Sequence, residues 1–138
     1  MIRNIWTILC RDIITDQESN SVSYLRCIEE GAAAQLPIKI GPVFLGTFWE
    51  KEGSTPLAVS FRVTLVSPAQ KSRPVLQTQP IVLDRLHHRL HFRLNALHLD
   101  EFGSYMLLLD YREKGKWETA ARLPLFIREI ENAKQVVE

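Results

Sequence analysis

The sequence predicts an all-β domain, and three observations carry that prediction. Turn-forming residues recur at short intervals, at Asp16 to Ser21, Gly41-Pro42, Glu50 to Pro56, Ser67 to Pro74, Asp100 to Gly103 and Glu113 to Lys116. The runs between them are too short for most helices, and several alternate apolar and polar residues with period two, the mark of a strand with one buried face. Their spacing suits about seven to nine antiparallel strands, as in a sandwich or barrel, and a sandwich is the parsimonious choice.

The elements follow in chain order. Ile5 to Ile14 and Ser21 to Ile28 flank the polar loop Asp16-Gln17-Glu18-Ser19-Asn20 as an antiparallel hairpin. Gly31-Ala32-Ala33-Ala34-Gln35 reads as one helical turn ended by Pro37. Val43 to Glu50 is a strand in which adjacent Phe48 and Trp49 must point to opposite faces. Leu57 to Val66 alternates most cleanly: Leu57, Val59, Phe61, Val63 and Leu65 share the core side, and Ser60, Arg62 and Thr64 the other. Pro74 to Leu83 supplies a further strand. Tyr105 to Tyr111 reads as a central strand, because Met106 and Leu108 make its second face apolar too. A turn at Lys114-Gly115 leads into a partner from Trp117 towards Ile127, where Pro124 implies an edge or a bulge. Residues 1–128 form one domain in this reading, and 129–138 a short C-terminal tail or helix.

Composition narrows the function. The 138 residues are 46% hydrophobic and 24% charged, the balance of a globular chain rather than a disordered one. Seventeen Lys and Arg against sixteen Asp and Glu leave a net charge of +1, so any electrostatic signal is local. Arg11 and Asp12 follow the apolar stretch 1–10 directly, which fits neither a signal peptide nor a spanning helix. A cytoplasmic protein without membrane contact is expected. Cys10 and Cys27 show no metal-ligand spacing; both fall in the first hairpin, and reduced thiols are the expectation.

The unusual segment is Asp84 to Asn95, with three of the four histidines. As a strand it sets Arg85, His87, Arg89, His91 and Arg93 on one face and Leu86, His88, Leu90, Phe92 and Leu94 on the other. His87 and His91 are then roughly 13 Å apart, too far for one metal ion. A helix is the alternative, since Leu83, Leu86, Leu90, Leu94 and Leu97 also fall at helical spacing. We favour the strand, with Arg85, His87, Arg89, His91 and Arg93 as the candidate ligand-binding residues for an anion such as phosphate, carboxylate or nucleic acid. The competing account is a solvated edge strand whose charges deter aggregation.

No nucleophile elbow, phosphate loop or zinc-protease motif occurs, and Cys10 lies in an apolar run that suits a buried thiol. Asp12, Asp16 and Glu18 lack the glycine and second acidic cluster of a calcium loop. Phe44, Phe48, Trp49 and Trp117 would form a carbohydrate or peptide platform only if several shared an exposed face. No catalytic residue, metal or cofactor is therefore expected. The expected role is a non-catalytic interaction module, its partner another protein or a second copy.

Leu97-His98-Leu99-Asp100-Glu101-Phe102-Gly103-Ser104-Tyr105 resembles the tyrosine corner of Greek-key sandwiches, in which the phenol ties back to upstream backbone. Together with Cys10-Arg11-Asp12, the polar loop and Ser23-Tyr24-Leu25-Arg26-Cys27-Ile28-Glu29, the chain resembles a bacterial family of small sandwich proteins known only as a domain of unknown function. The resemblance implies an immunoglobulin-like Greek-key β-sandwich and a bacterial cytosolic or phage-related origin. It supplies no catalytic residues.

Overall fold

The alternating runs pair as strands in a computed structural model that describes residues 1–131. Twelve strands, and no helix among the described residues, run in the order β1 (Ile2–Thr15), β2 (Val22–Cys27), β3 (Glu30–Ala33), β4 (Ile38–Ile40), β5 (Val43–Lys51), β6 (Leu57–Val66), β7 (Ser72–Gln77), β8 (Ile81–Leu83), β9 (His87–Leu94), β10 (Leu97–Leu99), β11 (Gly103–Arg112) and β12 (Glu118–Glu129). One sheet has the order β2-β1-β5-β9. The larger has β3-β12-β11-β6-β7, with β8 also on β6, and β4 and β10 form a separate ribbon. Every pairing is antiparallel except β3 with β12.

The two sheets share a core. Leu9, Val43, Leu45, Trp49, Phe92 and Leu94 of the smaller sheet are buried with Val59, Phe61, Val63, Leu65, Leu107, Leu109, Leu125 and Ile127 of the larger. Phe61 bridges the layers, its ring 5.1 Å from Trp49 and 5.3 Å from Phe92. The parity of β6 is the expected one, with Arg62 and Thr64 half-buried on the far face, although Ser60 is also buried. Charges taken inside are partnered, as burial requires. Lys51 Nζ donates to the carbonyls of Gly53 and Thr55 at 2.6 and 2.9 Å, and Asp110 accepts from Arg62 Nε at 2.9 Å and Thr119 Oγ1 at 2.8 Å.

The tyrosine corner forms. The Tyr105 hydroxyl accepts from the N–H groups of Asp100 and Glu101 at 3.1 and 2.9 Å and lies 2.9 Å from the Glu101 carbonyl, to which it donates.

Several expectations need correction. Gly31 to Gln35 are not a helical turn: Gly31 to Ala33 belong to β3, whose pairing with β12 supplies partners that a lone turn of helix lacks, and Ala34 and Gln35 form a bend after it. Pro80 lies in the break that divides the Pro74 to Leu83 run into β7 and β8, and short strands of this kind raise the count to twelve. Pro124 marks an edge rather than a bulge, since β3 pairs β12 from Phe126 to Glu129 and the register against β11 shifts at Leu109/Asp110 instead. Phe126 N–H points outward to the Glu29 carbonyl, so by alternation the nitrogen of Pro124 also faces away from β11, and that ladder loses nothing. β12 begins at Glu118, leaving Trp117 in contact with the guanidinium groups of Arg62 and Arg112, 4.5 and 4.6 Å from its ring centre. Glu129 closes β12 and Ile130 N–H still bonds Ala33, so the expected tail starts inside the sheet. Residues 132–138 lie outside the described residues.

Cys10, buried, stands opposite exposed Cys27 in the β1–β2 register, and both thiols are free. Burial, then the nearby Cys27, pushes the Cys10 thiol up.

Candidate functional site

The site lies on the outer side of the smaller sheet, where β9 is an edge strand that, among the described residues, pairs with β5 alone. Residues 87–94 are strand because their alternate leucines and Phe92 reach the core while His87, Arg89, His91 and Arg93 stay exposed. The helical reading of this segment is thereby overturned.

Opposite β9 stands the far half of the β1–β2 hairpin, whose turn is set by Asp16. Its carboxylate accepts from Glu18 N–H at 3.1 Å and from Ser19 Oγ at 2.8 Å, holding the bend that lets Asn20 adopt φ 60°. Ser19, followed by the Glu18 amide, draws the Asp16 carboxyl below its ordinary pKa. Gly46 lets the hairpin come close. A Cβ there would sit 2.8 Å from Tyr24 Cδ1 and closer still to Cε1, so only glycine leaves room for the ring. Tyr24 then reaches His91, hydroxyl to Nε2 2.9 Å, and packs edge-on against Trp6 with centroids 5.2 Å apart.

Between hairpin and β9 runs an open groove of about 460 Å³ lined by Thr15, Asn20, Val22, Asp84, Arg85, His87, His88, Arg89 and His91. Four of the five candidate residues therefore meet in one place. Arg85 enters from the loop before β9 rather than from the strand, and Arg93, opposite Phe44, is outside the groove. His88, which parity puts on the face of Leu90 and Phe92, is largely buried, and its Nε2 accepts from Arg85 N–H at 2.9 Å.

Charge in the groove is one-sided. Among the described residues Arg85, Arg89 and Arg93 make no salt bridge, whereas His87 lies 3.4 Å from Glu50, itself bound to Arg3 at 2.8 Å. Among the described residues the one acid lining the groove is Asp84, 4.0 Å from His88. Burial, then Arg89, holds the His91 pKa below its ordinary value. Burial likewise lowers His88, with Asp84 opposing. Both rings are neutral near pH 7 and gain positive charge in acid. Asp12 of β1, Phe44 of β5 and Leu25 of β2 line the hollow on the other side of His91.

An aromatic row crosses the same face. Trp6 stacks on Phe48 at 5.7 Å and 19°, and Phe48 on His87 at 5.5 Å and 8°. Phe48 is thus already engaged with two neighbouring rings, while Trp49 is in the core. The sequence reasoning missed Trp6, Tyr24 and Asn20, whose roles depend on where the hairpin leans. The one legible signal was Gly46 inside a strand pattern, which marks close backbone approach.

Among the described residues, no group of three His, Cys, Asp or Glu side chains is placed to share a metal ion, and no helix is long and apolar enough to cross a membrane. No protein-family model matches the chain, and neither does any curated protein.

Proposed function

We propose that this chain is a non-catalytic interaction module, built as an immunoglobulin-like Greek-key sandwich, that holds an anionic partner on its Arg85, His87, Arg89 and His91 groove. The strand order supports the fold assignment. Reading β1, β5 and β9 as strands A, B and E against β6, β11 and β12 as C, F and G matches that topology, and Tyr105 then opens strand F where a tyrosine corner belongs. A bacterial cytosolic setting and membership of the small-sandwich family belong to the same proposal.

The observation that carries the function is the groove's composition: among the described residues two arginines free of carboxylates and three histidine rings line it, with Asp84 as the one acid. Guanidinium groups not already neutralised are suited to carboxylate or phosphate. Inorganic polyphosphate and polyglutamate, titrated into the full chain, are expected to bind with an affinity that falls as salt rises. Binding should vanish in Arg85→Ala/Arg89→Ala/Arg93→Ala while the melting temperature holds, because these side chains are exposed. Wild-type protein that binds neither polyanion, or a triple variant that binds both unchanged, overturns the proposal. Hydrolase, phosphatase or esterase turnover abolished by one groove substitution would overturn its non-catalytic part.

A further inference from the structure

β9 carries more than its charges, because its backbone is half unused. Lys51 N–H donates to the Leu86 carbonyl at 2.8 Å, and the register continues Trp49 with His88, Thr47 with Leu90 and Leu45 with Phe92. In an antiparallel ladder the hydrogen-bonded pairs alternate, so the even residues of β9 spend their amides on β5. The N–H and C=O groups of His87, Arg89, His91 and Arg93 consequently face the other way, along an edge that no strand pairs among the described residues. The same four residues hold their side chains on the outer face.

We propose that β9 is a docking edge for an extended acidic segment of another protein, which adds to the sheet as an antiparallel fifth strand. The inference rests on the anionic partner proposed above and names its chemistry. A strand added there would exchange backbone hydrogen bonds with residues directly opposite His87, Arg89, His91 and Arg93, and those residues would project onto the outer face beside them. Glu or Asp at alternate positions repeats about every 6.6–6.8 Å, so every second one falls opposite Arg89 or Arg93, and charge agrees with backbone register. A second copy fits poorly: β9 against β9 would bring one positive row against another. Phosphate alone would use the arginines and leave the amides idle.

The test uses the full chain and an eight-residue peptide of alternating Glu and Thr, in three forms: unmodified, N-methylated at the Glu amides, and N-methylated at the Thr amides. The unmodified peptide is expected to bind and to slow hydrogen exchange at the amides of His87, Arg89, His91 and Arg93. N-methylation at Glu, whose amides would face β9, should weaken binding at least tenfold, and N-methylation at Thr should have little effect. Arg89→Glu/Arg93→Glu should switch preference to the alternating Lys and Thr peptide. Equal binding of both N-methylated forms, absent exchange protection, or a dimer of the free chain through β9 overturns strand addition. If polyphosphate still binds in that event, the anionic groove stands without it; if polyphosphate also fails, both readings fall.

Discussion

Replacing Gly46 by alanine tests how the hairpin is seated on the sheet. The new methyl would occupy space held by the Tyr24 ring, which is the outer part of a side chain and can swing away. Two interactions leave with it: the Tyr24–His91 hydrogen bond, worth about 0.5–1.5 kcal/mol, and the edge-on contact with Trp6, worth about 0.5–1.5 kcal/mol. Alanine in a strand regains about 0.5–1 kcal/mol over glycine. The net cost is then about 0–2.5 kcal/mol. With an unfolding entropy of about 2.1 cal/mol/K per residue, that lowers the melting temperature by at most roughly 9 °C. The decisive measurement is a double-mutant cycle with Tyr24→Ala, read by denaturant unfolding. Once the ring is gone Gly46→Ala should be neutral or stabilising, giving a coupling of about 1–3 kcal/mol. Additive effects would show that Tyr24 does not rest on Gly46, and the groove wall would have to be redrawn.

Phe61→Ala should destabilise by about 3–5 kcal/mol, since it empties the ring that spans both layers; unchanged melting would refute the core assignment. Tyr105→Phe should cost about 1–2 kcal/mol without altering the fold, because the packing stays while the hydroxyl's bonds to Asp100 and Glu101 go; unchanged stability would sink the corner. His88 and His91 have lowered pKa values in the fold, so the unfolded chain takes up protons first. Their contribution to stability is complete above the unfolded pKa of about 6.5 and is lost as the pH falls from there towards the folded values. The urea midpoint should decline as the pH falls below about 6.5, and His88→Gln/His91→Gln should flatten that decline. A wild-type midpoint that rises towards acid would reverse the sign of the argument.

What the sequence disclosed was what period two can carry. Val59, Phe61, Val63 and Leu65 announced their burial, and the basic face of β9 was legible from parity alone. Tertiary placement was not. Four residues as bland as Glu30 to Ala33 acquire strand character only from the edge of β12, about a hundred positions away, and no local preference decides between that edge and a helical turn. The groove was half visible for the same reason: Arg85, His87, Arg89 and His91 form one wall, but the opposite wall depends on a hairpin seated by Gly46. Arg93 shares the parity and misses the groove because β9 outruns it.

The parallel pairing of β3 with β12 has a consequence for synthesis. Ribosomes extend a chain by about 5–20 residues per second, so β3 waits several seconds for the strand that completes it. β9, by contrast, can join β5 much sooner, since fewer than fifty residues separate their first residues. The outer edge of β9 is thus open on a nascent chain whose larger sheet is still unfinished. An acidic segment that binds as proposed would find that edge before β3 has met β12.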